Sequence, residues 1–95
     1  MTEVEKNEIS KALQLNLGSR RQEAALYLAA RPGKPLKIAT VAKAIFDDAE
    51  ATAKTLQIIR YLQWKIDILK LSKKYGLADE VDADGARLVT FTIAE

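Results

Sequence analysis

Residues 72–95 read SKKYGLADEVDADGARLVTFTIAE. Two β-prone runs flank Asp84-Gly85, a dipeptide that favours tight hairpin turns. The pattern predicts a hairpin with one strand over about Leu77 to Asp82 and a turn at Ala83-Asp84-Gly85. The second strand runs from Arg87 to Ile93. Along it Val89, Phe91 and Ile93 alternate with Leu88, Thr90 and Thr92, so the first set is expected to lie on the core. Gly76 stands where a helix C′ glycine would stand, with Leu77 placed for the accompanying apolar contact. The hairpin carries Asp79, Glu80, Asp82 and Asp84, and that charge bears on what it can touch.

Upstream of Gly76 the chain has no glycine or proline back to Ala49, a stretch of 27 residues. One continuous helix there would run about 40 Å at 1.5 Å per residue. A break near Lys65-Ile66-Asp67, with Asp67 recapping, is the alternative. Asp47 and Asp48 precede the stretch, and either can cap it and complement its positive end. Lys70, Lys73 and Lys74 suit the negative end. Before that, Thr40 is placed to cap a short helix, VAKAIF, and Leu36-Lys37-Ile38 alternates as a short strand does. Pro32-Gly33-Lys34-Pro35 stops the helix-forming run QEAALYLAA. Ser19-Arg20-Arg21-Gln22 has the form of a capping box at that run's start. Residues 3–16 are helix-prone, with Ile9, Ala12 and Leu13 at helical spacing, and Gly18 ends them.

The totals narrow the function. A chain of 95 residues makes one small domain, and 48% hydrophobic residues are enough for a core and too many for disorder. No run is long enough to span a bilayer. The acidic, polar start MTEVEKNEIS is not a signal peptide. These features fit a cytoplasmic protein. Cysteine and histidine are both absent, which removes disulfides, thiolate metal sites, the commonest metal ligand and the usual general base. No phosphate loop or nucleophile elbow occurs. An enzyme, a cofactor, a metal and a small-molecule ligand are therefore not expected.

Net charge is +2, but it is unevenly spread. Residues 49–78 hold six basic and two acidic side chains; residues 79–95 hold one basic and five acidic. A net +4 middle is a polyanion signal or a solvated helix face, and the tail is net −4.

The order helix, short strand, helix, helix, hairpin resembles the winged helix-turn-helix superfamily of DNA-binding domains. LKIATVAKAIF resembles its strand and second helix, and LKLSKKYGLADEVDADGARLVTFTI the end of its recognition helix and the wing. The resemblance covers residues 19–93 and implies a mainly α fold with a small β-hairpin (α+β). On this division 1–18 is an extra N-terminal helix able to act as a dimerisation arm, and 19–95 is the winged-helix domain. Two departures stand out. The stretch from Leu36 to Gly76 is long, through an extended third helix or an added one. The hairpin is acidic where many wings offer Arg or Lys to phosphate; here Arg87 alone could, beside four carboxylates.

The resemblance implies that the third helix enters the major groove with its first turns. Those turns hold Thr52, Lys54, Thr55 and Gln57. Gln bonds adenine in a bidentate way, Thr offers a hydroxyl or methyl, and Lys neutralises phosphate. Arg60 and Lys65 follow as phosphate or guanine contacts. Arg20, Arg21, Lys34, Lys37 and Lys43 would flank the groove. Arg20 and Arg21 sit near a helix start, where the dipole disfavours cations, which hints at another purpose.

A helical wheel of residues 49–75 puts Ile58, Ile59, Leu62, Ile66 and Leu69 on one side, and Trp64, Ile68 and Leu71 nearly opposite. A small monomer cannot easily cover both. The second stripe is either a homodimer seam or the seat of the N-terminal helix, through Ile9 and Leu13; both hold if that helix packs across a dimer. The leading expectation is a small dimeric protein that binds double-stranded DNA, as a transcriptional regulator or a plasmid or phage accessory factor. The alternative is a winged-helix protein-interaction module that docks through the long helix and the acidic hairpin.

Overall fold

The first helix, α1 (Glu3–Ala12), opens on a capping box: the Thr2 hydroxyl accepts the Glu5 N–H at 3.2 Å, and the Glu5 carboxylate accepts the Thr2 N–H at 3.3 Å. The computed structural model describes residues 2–94. Among them α1 is followed by α2 (Arg20–Ala29), β1 (Leu36–Lys37), α3 (Ile38–Phe46), α4 (Thr52–Ile68), β2 (Tyr75–Val81) and β3 (Arg87–Ile93). The fold class is α+β, with four helices and one three-stranded antiparallel sheet among the described residues.

Helix ends depart from the sequence reading in a consistent way. α1 stops at Ala12, short of residue 16. Gln14 adopts a left-handed φ of 53°, its N–H bonds Lys11 O, and Leu15 N–H bonds Ser10 O at 2.9 Å. This is a Schellman closure without glycine. α4 ends the same way. Lys70 has φ 57°, its N–H bonds Asp67 O, and Leu71 N–H bonds Ile66 O at 2.8 Å. So α4 has 17 residues rather than 27, and no added helix follows it among the described residues. Lys73 and Lys74 lie beyond it.

Gly76 is therefore not a C′ residue. It sits inside β2, directly opposite Thr92, where an added Cβ would collide with the Thr92 hydroxyl. α3 begins at Ile38, with Lys37 rather than Thr40 at the N-cap. Neither aspartate after it caps α4. Asp47 closes α3 in the left-handed region, with its carboxylate 2.8 Å from Lys43 Nζ. The Asp48 carboxylate holds the Glu50 N–H in the turn before the Ala51 N-cap.

The sheet runs β1-β3-β2, so the last strand is its middle. Leu36 pairs with Val89, and Tyr75 with Ile93 through Val81 with Arg87. The expected turn at Ala83-Asp84-Gly85 is present. Gly85 N–H bonds Asp82 O at 3.0 Å, and Gly85 has φ 84°, which favours glycine. Val89 and Phe91 are buried as the alternation required, and Ile93 packs at the core's edge. Ile59, Leu62 and Ile66 of α4 and Leu28 of α2 meet them there. The core face of α4 thus lies against α2, α3 and the sheet, and its opposite face is left to solvent.

Candidate nucleic-acid interface

The outward face of α4 carries Ala53, Lys54, Gln57, Arg60, Trp64, Asp67 and Ile68, all exposed. Lys54, Gln57 and Arg60 follow one another at helical spacing along its first half. Thr52 is half-buried on the flank nearest the hairpin, in a recess shared with Ile38, Leu56 and Arg87. Thr55 does not join this face. It is fully buried, and its hydroxyl donates to Ala51 O at 2.8 Å. A threonine in a helix's first turns reads as polar surface, which is why it was expected in the groove. The wheel position that it shares with Ile59 and Ile66 turns it inward instead.

On the other flank the two arginines of α2 reach across. The Arg21 guanidinium carbon lies 3.6 Å from the Tyr61 ring centroid, within stacking distance. Arg20 pairs with Glu23 at 3.0 Å and stands 5.6 Å from the Phe46 ring, with Lys54 Nζ 5.8 Å from the same ring. Arg21, Phe46, Lys54 and Gln57 line a recess of about 270 Å³ between the helices. Arg20 and Arg21 thus couple α2 to α3 and α4 while keeping exposed charge beside Lys54. Lys37 is exposed at the start of α3, and Lys34 in the preceding loop. Lys43 is drawn to Asp47 and lines a different recess, with Tyr27, Thr40 and Ala49.

The hairpin side is organised by Asp79. Its Oδ1 accepts from Arg60 Nη1 at 2.9 Å and from Gln63 Nε2 at 3.2 Å; its Oδ2 accepts from Arg87 Nη1 at 2.7 Å. Gln63 Nε2 also donates to Leu77 O at 3.0 Å, and Gln63 Oε1 accepts from Arg60. The carboxylate is largely buried, which by itself raises its pKa. The hydrogen bonds from Gln63, Arg60 and Arg87, with the charge of Arg60, outweigh burial and hold it below the ordinary 3.8. Asp82 acts on the turn instead. Its Oδ1 accepts the N–H groups of Asp84 and Ala86, both at 2.9 Å, and fixes the chain there. Only Glu80 and Asp84, of the four hairpin carboxylates, present exposed charge without a side-chain hydrogen bond among the described residues. The hairpin is less repellent to phosphate than its composition suggests. Sequence reasoning counted Asp79 only among the carboxylates that repel phosphate, and it passed over Gln63. Their signal was weak, because a loop and strand separate them and no local spacing links the two.

The apolar residues assigned to a dimer seam divide. Ile9 and Leu13 are 4% and 0% exposed and sit in the chain's own core, through α1 on α2. Trp64 and Ile68 are 51% and 54% exposed. Leu71 is half-buried against the core, and its N–H bonds Ile66 O. The alternative in which α1 covers the Trp64 stripe does not occur, since α1 packs on α2. Trp64 instead leans on Tyr61, with ring centroids 5.7 Å apart, and Lys65 lies about 6 Å from both rings.

No family model, curated protein or solved structure matches this chain. Function therefore rests on the site itself. Among the described residues no helix is long and apolar enough to cross a membrane. Among the described residues no group of three or more carboxylates gathers to hold a metal ion.

Proposed function

We propose that this chain is a winged helix-turn-helix protein that binds double-stranded DNA, with α3 and α4 as the helix-turn-helix, α4 in the major groove and the β2–β3 hairpin as the wing. The observation that carries the reading is the outward row Lys54, Gln57, Arg60 on α4, flanked by Arg20 and Arg21 on one side and Arg87 on the other. Bases are read by a helix's exposed first turns, and phosphates by cations that border them. The sheet order, with the last strand between the first and second, supports the same arrangement. Regulation of transcription is the use we assign, with a plasmid or phage accessory role as the variant of it.

The test is a fluorescence-anisotropy titration on duplexes selected from a random library and on random DNA, at two salt concentrations. Lys54→Ala should weaken both about equally and shallow the salt slope by about one unit. Gln57→Ala should cost ~1–3 kcal/mol on the selected duplex and much less on random DNA. If neither change matters while Arg20 and Arg21 changes do, DNA lies across another face.

The exposed pair Trp64 and Ile68 favours a second part to the proposal: a homodimer in which these residues, with Leu71, pack across a two-fold axis. The same pair is what a protein-interaction module would use. Sedimentation of the wild type and of Ile68→Glu checks the dimer, with a monomer in both cases at tens of micromolar counting against it. Salt separates the modes, since phosphate contacts weaken steeply with salt and an apolar contact does not.

A further inference from the structure

We propose that Asp79 is a positioning residue for base reading: it fixes Arg60 so that the guanidinium presents a rigid two-donor edge to guanine, and holds Arg87 beside it for the neighbouring phosphate. The inference rests on the DNA-binding reading above and names a residue pair and a base for it.

The geometry is asymmetric in a useful way. Each arginine meets Asp79 through Nη1 alone. Arg60 Nη1 is held a second time by Gln63 Oε1 at 3.1 Å. Nε and Nη2 of both arginines make no hydrogen bond to any described residue. An arginine has five donors in a plane, so pinning one corner leaves the Nε–Nη2 edge intact and orients it. That edge carries two parallel N–H groups, which match O6 and N7 of guanine in the major groove. Exposure agrees: the Arg60 and Arg87 side chains are 52% and 37% exposed and Asp79 only 12%, so the carboxylate is screened while both cations reach solvent. Three charges in contact leave the cluster net positive. Gln63, anchored on Leu77 O, ties the arrangement to β2 rather than to α4 alone. A free surface arginine loses side-chain entropy when it binds a base; one already fixed loses less.

Duplexes selected by the wild-type protein from a library with a randomised centre supply the probe. Wild type, Asp79→Asn and Arg60→Lys are titrated on a selected duplex and on the same duplex with 7-deazaguanine or adenine at each guanine in turn. At one position the wild type should lose roughly 5- to 100-fold in affinity. Asp79→Asn and Arg60→Lys should each lose under about twofold there, although Arg60→Lys keeps the charge. Asp79→Asn should bind random DNA as tightly as wild type or tighter, since it removes a negative charge. Arg60→Lys checks the guanine contact itself; if Asp79→Asn does not fold, Asp79→Glu, which keeps the charge but displaces the acceptor from Arg60, takes its place and should lose the guanine dependence in the same way. A wild type that binds duplexes without this guanine dependence overturns the inference and leaves DNA binding standing. So does a guanine preference that survives in either folded variant. A wild type that retains no duplex at low salt overturns both.

Discussion

Arg60 on α4 and Asp79 on β2 stand nineteen positions apart in sequence and meet at 2.9 Å, so one ion pair fastens the outward face of the long helix to the hairpin. Arg87 closes on the other carboxylate oxygen at 2.7 Å and joins both hairpin strands to that helix. Exposed ion pairs contribute little, and Arg60 is half exposed, but the carboxylate is largely screened and hydrogen-bonded by Gln63 as well.

Replacing Asp79 with Ala should destabilise the fold by about 1–3 kcal/mol, because three donors lose their acceptor. The loss should depend on pH. The carboxyl's folded pKa lies below the ordinary 3.8, so its contribution is fully present above that value and fades as pH falls through the folded pKa. Urea melts of wild type and Asp79→Ala at neutral pH and well below pH 4 should therefore converge in acid. A difference that stays constant across that range would mean that the ionised carboxylate is not what stabilises.

Leu13 tests whether α1 belongs to the core. Leu13→Ala should cost ~2–5 kcal/mol, since the side chain is fully buried and leaves a cavity. The cost should not change with protein concentration, because the residue packs within its own chain. A loss that grows on dilution would instead place Leu13 between subunits.

Thr55→Val should lower stability by about 0.5–1.5 kcal/mol through the lost bond to Ala51 O. Affinity for duplex DNA, measured below the melting range, should be unchanged. A selective loss of binding would show that the hydroxyl reaches the groove after all.

Gly76→Ala pits two side chains against each other. The new methyl would meet the Thr92 hydroxyl across the strand pair, and Thr92 is exposed, so another rotamer can carry that hydroxyl toward solvent. The penalty should be about 1 kcal/mol, at the low end for overpacking. In a Thr92→Ala background it should shrink by most of that amount, a coupling that a double-mutant cycle reads directly.

Much of the fold could be read locally. The alternation of Val89, Phe91 and Ile93 gave the buried face of β3, and Asp84-Gly85 gave the turn. Ser19 caps α2 as expected, though Gln22 returns its side chain to Gly18 N–H rather than to Ser19. The ends of α1 and α4 were not legible, because Gln14 and Lys70 take left-handed conformations that glycine usually takes. Their closure is made by backbone bonds such as Leu71 N–H to Ile66 O, which a scan for glycine overlooks. The candidate face was half legible. Lys54 and Gln57 follow from periodicity, but Asp79 joining Arg60 to Arg87 depends on how a hairpin folds back onto a helix. Composition alone made the hairpin look like a barrier to phosphate.

The position of β3 has a consequence for the order in which the chain is made. Every other described element precedes it, yet it is the strand against which β1 and β2 both align. While the chain emerges from the ribosome, β1 has no neighbour until some fifty residues later, when Val89 arrives opposite Leu36. The helices can form as they appear, but the sheet and the pocket for Phe91 cannot. The nascent protein should therefore remain an open set of helices, exposed to proteases and chaperones, until β3 emerges and completes the core in one step.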